Sequence, residues 1–134
     1  MKIISWNVNG VRAVLNKGFV QWLIKESPDM LCLQETKADP SQVPDELKDI
    51  DGYESFWCGG IKKGYSGVAL YSKQGPTDVK YGFGLGDSFD REGRIIISEY
   101  ERFTLLNIYF PNGQKDDDRL KYKLDFYDAT LEYC

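Results

Sequence analysis

The sequence predicts a layered α/β fold in which helices flank a mixed β-sheet. The chain begins with two short apolar strands separated by a segment of helical spacing, continues with strands joined by glycine-rich turns, and ends with an amphipathic helix. Of its 134 residues, 42% are hydrophobic and 14% are aromatic. This composition is enough for one globular domain, or part of one, to bury a moderate core.

The first two strands are predicted to be parallel neighbours. They span roughly Lys2 to Asn7 and Met30 to Leu33, and the segment Ser27-Pro28-Asp29 ends the helix between them. Because a helical crossover joins parallel strands, both polar strand ends should lie at one edge of the sheet. The apolar positions of the intervening helix are Val11, Val14, Leu15, Phe19, Trp22 and Leu23.

The middle of the chain changes to strand patterns. Beyond Pro40 and Pro44 we expect a short acidic helix or loop. Glu101-Arg102 is predicted to be the tight turn that joins the last two strands as a hairpin. The predicted strands run from Tyr53 to Trp57, from Gly67 to Ser72, from Arg94 to Tyr100 and from Phe103 to Phe110.

The final segment is predicted to be an amphipathic helix that starts near Asp118. No glycine cap or proline breaker precedes Cys134. A sheet with helices on one face also needs apolar cover on the other. We therefore expect the chain to be half of a larger fold, or to self-associate through an uncovered sheet face.

Charge and length restrict the partners. The net charge of −4 argues mildly against nucleic acid as an average over the whole surface, but basic residues cluster locally, and solvated faces are the alternative interpretation. No apolar run is long enough for a signal peptide or a membrane span, so we expect an intracellular, cytoplasmic protein with no membrane partner. The number of cysteines is odd, and their spacing is not that of metal ligands. We interpret Cys32, Cys58 and Cys134 as reduced thiols.

Polar residues follow the first two strands where each strand ends. Asn7 and Glu35 are predicted to meet there, and a carboxylate beside amides is a divalent-metal site in outline. Each residue also has a structural interpretation. Glu35 could be a surface acid, Asn7 could cap local backbone, and Asn9-Gly10 is a strong tight-turn pair.

Five motifs connect the sequence to a known family: SWNVNGVRA, LCLQETK, KKGYSGVALYSK, EGRIII and NIYFPNG. In this order and spacing they resemble the exonuclease III family of abasic-site (AP) endonucleases, within the endonuclease/exonuclease/phosphatase superfamily. The resemblance covers essentially the whole chain. It implies one half of the four-layer α/β-sandwich of the DNase I-like fold, with residues 1–134 as the N-terminal half and the C-terminal half absent.

The resemblance implies a catalytic centre that uses Mg²⁺, with Mn²⁺ as a possible substitute. Glu35 matches the metal-ligating glutamate, and Asn7 and Asn9 match positions just outside the metal ligands. Tyr109 and Asn112 match residues that line the scissile phosphate, where neutral donors stabilise developing charge. The structural alternatives are a sheet aromatic for Tyr109 and a tight turn at Asn112.

The resemblance also implies contacts to double-stranded DNA that carries abasic or 3′-end lesions. A turn between strands is the alternative for the KKGY segment, and an ion pair is the alternative for Arg94. The acidic residues Asp116 to Asp118 depart from the family pattern. The implied DNA contacts are Arg12, Ala13, Lys17, Lys62, Lys63, Gly64, Tyr65, Arg94, Lys115 and Arg119.

The implied activity is that of a DNA repair nuclease: metal-dependent hydrolysis of the phosphodiester 5′ to abasic sites, with 3′–5′ exonuclease trimming. The chain has no histidine and lacks the family's later Gly-Asp-Phe-Asn and Ser-Asp-His type motifs. We therefore expect this chain to be inactive or very weak alone. Two alternatives stay open: another superfamily phosphodiesterase or phosphatase acting on RNA, phosphoinositides or lipid headgroups, and a non-catalytic fragment that binds DNA or self-associates.

Overall fold

Two β-sheets form the centre of the computed structural model, which describes residues 1–134, with residues 87 and 88 described by their backbone only. The first sheet contains β1 (Ile3–Asn7), β2 (Met30–Gln34), β3 (Glu54–Cys58) and β4 (Val68–Ser72) in the spatial order β1-β2-β4-β3. β1 and β2 are parallel, and β4 runs antiparallel to β2 and β3. The predicted mixed sheet and its parallel pair are therefore confirmed.

The second sheet has three antiparallel strands in the order β5-β6-β7, namely β5 (Asp78–Lys80), β6 (Ile95–Glu99) and β7 (Thr104–Ile108). The predicted hairpin between β6 and β7 is confirmed, with the backbone N–H of Tyr100 donating to the carbonyl of Phe103. β5 was not predicted because three residues are too short to show an alternating pattern.

The predicted first helix is two helices, α1 (Val11–Leu15) and α2 (Phe19–Glu26). Gly18 separates them with a φ of 89°, a left-handed backbone that interrupts the helix while its apolar spacing continues. The acidic segment forms a 3₁₀ turn at Pro40–Gln42 followed by α3 (Asp45–Lys48). The remaining helices are α4 (Asp87–Asp90), which was not predicted, and the long α5 (Asp117–Tyr133).

The molecule is layered, with helices outside both sheets. Apolar residues of the first sheet pack against α1 and α2 on one face and against the second sheet on the other. α5 covers the outer face of the second sheet, where Phe126 and Ala129 pack against Ile95 and Ile97. This packing explains why most of β6 is buried on both faces.

The expectation of an uncovered sheet face is wrong, because the second sheet of the same chain covers that face. Self-association through it is not available. Exposed apolar residues lie instead on the outer side of α5 and beside it, namely Phe110, Leu120, Leu124, Tyr127 and Leu131.

Candidate metal and nucleic-acid site

The polar ends of β1 and β2 meet, as the parallel pairing requires. The backbone N–H of Gly10 donates to the carbonyl of Glu35 at 2.8 Å, and the Asn7 side-chain oxygen accepts from the N–H of Asn9 at 3.0 Å. Asn9 and Glu35 have φ values of 46° and 57°. Lys37 shares this left-handed backbone, with a φ of 51°. Such a conformation costs an L-residue roughly 1–2 kcal/mol, so the strand-end segment carries local backbone strain.

Lys37 completes the strand-end cluster and was not assigned from the sequence. Its Nζ lies 2.6 Å from Oδ1 of Asn9 and 3.3 Å from Oε1 of Glu35. The amide and carboxylate oxygens therefore converge on a single cation. Lys37 lies in the LCLQETK motif, but its partner Asn9 is 28 residues away, at the end of the other strand. The sequence around Lys37 therefore gives no sign of this contact.

The same oxygen atoms are of the type that hard divalent cations bind. Mg²⁺ is commonly held by one or two carboxylates, several waters and a substrate phosphate. Within the described side chains, no group of three or more His, Cys, Asp or Glu is arranged to hold a metal. The candidate ligands are the Glu35 carboxylate and the Asn9 amide oxygen, because both oxygens contact the Lys37 ammonium. For Asn9 this differs from the predicted position just outside the metal ligands.

A buried bridge between the two sheets brings Tyr109 to this cluster. The Asn107 side-chain amide donates to the carbonyls of Leu33 and Ala69, at 3.2 and 2.8 Å, and its oxygen accepts from Gln34 at 2.9 Å. These bonds fix β7 across the ends of β2 and β4. Tyr109 follows two residues later, directly after the end of β7.

Tyr109 faces Glu35 closely enough for the carboxylate to influence its phenol. Burial raises the pKa of Tyr109, and the negative charge of Glu35 raises it further. The phenol therefore stays protonated at neutral pH and is able to donate a hydrogen bond. The structure therefore places the Tyr109 phenol beside the Glu35 carboxylate.

Arg94 differs from its predicted place on the DNA-binding surface. It is only 2% exposed, and its Nε donates to Oε2 of Glu92 at 2.6 Å. The ion pair considered as the alternative is thus the one observed, and burial removes Arg94 from the predicted DNA contacts. Glu92 was not singled out from the sequence because its second partner, Arg119, lies 27 residues away along the chain.

Arg119 shares the same carboxylate. It donates to both oxygens of Glu92, at 2.9 and 3.2 Å, and its guanidinium lies 4.4 Å from the ring centre of Tyr122. Its side chain is 24% exposed, so one side of it still faces solvent. The acidic segment before it has a structural explanation, since the Asp116 carboxylate accepts from the Arg119 backbone N–H as the cap of α5.

The remaining predicted DNA contacts are exposed and lie on three segments. Asn112 is exposed too, but its side-chain oxygen accepts from the Gln114 N–H at 3.0 Å, so it forms the local turn considered as its alternative. The exposed residues predicted to contact DNA are Arg12 and Ala13 on α1, Lys17 in the turn after it, Lys62, Lys63, Gly64 and Tyr65 in the loop before β4, and Lys115 before α5.

The sequence profile of the endonuclease/exonuclease/phosphatase family matches residues 4–132. The chain belongs to this family. The predicted resemblance is confirmed, and the strand-end cluster of Asn7, Glu35 and Tyr109 lies inside the matched region.

Named members of the endonuclease/exonuclease/phosphatase family give the comparison its detail. The exodeoxyribonuclease of Bacillus subtilis (strain 168) is 43% identical over 134 residues, covering 99% of this chain and 52% of that protein. A 3′ phosphatase from Neisseria, solved with a product DNA hairpin, has a TM-score of 0.85 at 35% identity. The match covers 99% of this chain and 51% of the phosphatase chain. An AP endonuclease from Archaeoglobus fulgidus has a TM-score of 0.84 at 32% identity, and the match covers 99% of this chain and 50% of the endonuclease chain.

These family members confirm the predicted fold class of mixed sheets flanked by helices. The chain spans about half the length of the three relatives described. Within the described residues, no helix has both the length and the apolar character needed to cross a membrane.

Proposed function

We propose that residues 1–134 form the N-terminal half of a DNA repair nuclease of exonuclease III type. The intact enzyme hydrolyses the DNA phosphodiester 5′ to abasic sites and trims 3′ ends, using Mg²⁺ or Mn²⁺. The observation that carries this proposal is the convergence of Glu35, Asn9 and Tyr109 at the strand ends, beside exposed basic residues. We expect the protein to act inside the cell, without a membrane partner.

The chemistry follows from the side chains present. Glu35 and Asn9 would hold the metal, which when bound supplies positive charge against the phosphate and lowers the pKa of a bound water. Asn7 fixes the turn that presents Asn9. Tyr109 donates its phenolic hydrogen to a phosphate oxygen, and such a donor contributes a few kcal/mol, roughly a hundredfold in rate, in a water-poor site.

The isolated chain should bind metal weakly and cleave DNA very poorly. It contains no histidine, and the described site has one carboxylate. We propose that the group which deprotonates or orients the attacking water belongs to the other half of the intact enzyme.

A second candidate activity is removal of a 3′ phosphate from DNA. The similar structure from Neisseria is named as a 3′ phosphatase, and the same metal and phenol would serve a terminal phosphate. Product analysis distinguishes the activities, because a phosphatase releases inorganic phosphate without shortening the strand. An inositol phosphate substrate tests the remaining superfamily alternative.

The test of the proposed function compares Glu35→Gln with Glu46→Gln, a matched change at an exposed residue of α3. Mn²⁺ binding is measured by electron paramagnetic resonance, and cleavage is measured on a duplex with one abasic site. We expect weak Mn²⁺ binding that is lost in Glu35→Gln and kept in Glu46→Gln. Equal Mn²⁺ binding by Glu35→Gln and the unaltered chain would contradict the metal site, and enzyme-like cleavage abolished by Glu35→Gln would contradict the half-site.

A further inference from the structure

The guanidinium of Arg94 lies between two tyrosine rings. Its central carbon is 4.9 Å from the ring centre of Tyr109 and 5.5 Å from that of Tyr65. Cations over aromatic faces are attracted by the ring quadrupole, most strongly when water is excluded. Arg94 meets that condition, because its side chain is 1% exposed.

Each nitrogen of the same guanidinium donates to a different chain segment. Nε donates to Glu92 at 2.6 Å, Nη1 donates to the carbonyl of Tyr109 at 3.1 Å, and Nη2 donates to the hydroxyl of Tyr65 at 2.9 Å. One buried side chain therefore joins the loop before β4, the turn before β6 and the end of β7.

We propose that Arg94 is a positioning residue that couples Tyr65, in the exposed basic loop, to Tyr109 in the metal site. This inference rests on the proposed function and extends it. Contact of the loop with a DNA duplex would then be transmitted to the phenol beside Glu35 through one guanidinium. Arg94 is buried behind the exposed loop, and its guanidinium bonds to protein groups only.

The exposure of Tyr65 suits this arrangement. Its side chain is among the exposed large hydrophobic ones, at 37%, although its hydroxyl is held by Arg94 and, at 3.4 Å, by Nη2 of Arg119. The ring is thus available to a partner, while the hydrogen bonds from the two arginines to its hydroxyl fix its position. A partner that displaces the ring must also move the guanidinium that contacts Tyr109.

The charge balance favours a fixed cluster. Glu92 neutralises one of the two guanidinium groups that it contacts. Burial alone would raise the pKa of Glu92, but hydrogen bonds from Arg119 and Arg94 outweigh burial and lower it. The carboxylate is therefore ionised at neutral pH and keeps both arginines in place.

Arginine is required at this position by geometry as well as by charge. A guanidinium is planar, stacks on rings and offers five donors in a fixed fork, whereas a lysine ammonium is a compact point charge. Arg94→Lys keeps the charge but cannot serve Glu92, Tyr65 and the Tyr109 carbonyl together. Arg94→Lys therefore tests the positioning role of the guanidinium while the positive charge stays the same.

The first measurement is amide hydrogen exchange of the chain without DNA. We expect Arg94→Lys to speed exchange about tenfold or more in residues 60–66 and at 109–110, since loss of a charged hydrogen bond has about this effect. Exchange in β2 and α2 should be unchanged. Tyr65→Phe, which removes only a hydroxyl from an exposed residue, should produce the same local pattern even if Arg94→Lys folds poorly. Unchanged exchange at 109–110 in Tyr65→Phe would overturn the inference.

The second measurement is a double-mutant cycle on affinity for a duplex with one abasic site, read by fluorescence anisotropy. If Arg94 acts through Tyr65, the double variant Arg94→Lys with Tyr65→Phe should bind the duplex no more weakly than Arg94→Lys alone. We expect Arg94→Lys to lose about tenfold in duplex affinity. Additive losses would overturn the coupling, whereas absence of duplex binding by the unaltered chain would overturn the proposed function and the coupling with it. Arg102→Lys, in the exposed turn between β6 and β7, is the control and should bind like the unaltered chain.

Discussion

Lys37 determines the charge of the strand-end cluster at the scale of single residues. Its ammonium contacts the two side chains that would hold a metal ion, at 2.6 and 3.3 Å. A cation at that place both repels a second cation and occupies its oxygen ligands. The same lysine also keeps the Glu35 carboxylate oriented when no dication is bound.

Removal of the Lys37 charge should therefore strengthen metal binding. We expect Lys37→Met to bind Mn²⁺ about fivefold more tightly, because a partly exposed ion pair contributes up to roughly 1 kcal/mol. Isothermal titration calorimetry measures this change, with Lys25→Met on the exposed side of α2 as the control. Equal or weaker binding by Lys37→Met would show that the ammonium supports the metal site instead of competing for it.

Two thiols, that of the buried Cys32 and that of the partly buried Cys58, predict alkaline instability. Burial raises the pKa of Cys32 and of Cys58 to about 11, from an ordinary value of 9.0. Because the folded pKa is the higher one, the stability that each neutral thiol contributes is complete below pH 9 and is lost as the pH rises toward 11. The free energy of unfolding should fall by up to about 1.4 kcal/mol per pH unit for each thiol.

Urea unfolding between pH 8 and pH 10.5 measures this dependence. Cys32→Ala should reduce the slope of stability against pH, although it also lowers stability at neutral pH by leaving a small cavity. Cys134→Ala, at an exposed thiol, should leave the slope unchanged. An identical slope in Cys32→Ala and the unaltered chain would argue against titration of the buried thiol.

The sequence predicted some site residues and missed others for physical reasons. Asn7 ends β1 and Glu35 directly follows β2, so their neighbourhood could be inferred from parallel pairing alone. Glu92 and Asn107 have partners more than 25 residues away, Asn107 across the two sheets and Glu92 on α5. The burial of Arg94 depends on rings that only the folded chain brings together, so its motif alone could not distinguish a DNA contact from an ion pair.

At the scale of elements, the junction of β2 and β4 controls the geometry of Glu35. Gly67 has a φ of 93°, and its carbonyl accepts from the Thr36 N–H at 3.0 Å. A Cβ at Gly67 would overlap the Thr36 hydroxyl, which is buried and has no hydrogen-bond partner among the described atoms. The residue that follows Glu35 is therefore packed directly against this glycine.

Gly67→Ala should lower the free energy of unfolding by about 2 kcal/mol or more, from the left-handed backbone and the steric overlap together. Gly64→Ala is the matched control, since Gly64 has a φ of 70° but open space around its Cα. That variant should lose only about 1 kcal/mol, the backbone cost alone. Chemical denaturation measures both variants, and equal losses would contradict a steric contribution at Gly67.

Element prediction succeeded where a pattern was long enough to be periodic. β1, β2 and the β6–β7 hairpin have runs of five apolar or alternating residues, and each was found. β5 has three residues and was missed. The break between α1 and α2 was missed because apolar spacing continues across Gly18, whereas the break itself depends on one backbone angle.

At the scale of the whole molecule, the two sheets bury each other and leave the helices outside. The sequence indicated an open sheet face because each strand was considered with its nearest helix, and sheet-on-sheet packing has no local signal. The apolar residues left exposed on α5, together with the half-length coverage of the relatives, are consistent with a larger fold around this chain.

Charge is unevenly distributed over this molecule, and that distribution predicts how salt should affect the proposed binding of DNA. The net charge is −4, yet Arg12, Lys17, Lys62 and Lys63 are exposed on segments that follow the strand-end cluster or precede β4. If these four cations contact phosphates, the logarithm of the duplex affinity should fall with the logarithm of salt concentration at a slope of about −3 to −4. Fluorescence anisotropy between about 50 and 200 mM salt measures that slope.

Replacement of two cations should change the slope by a defined amount. Lys62→Gln with Lys63→Gln removes two phosphate contacts, so we expect the slope to become shallower by about 2. Lys73→Gln with Lys80→Gln removes the same charge from residues bonded to Ser27 and Glu99, away from the proposed DNA contacts. An equal change from both double variants would mean that net charge, and not the loop before β4, governs attraction to the duplex.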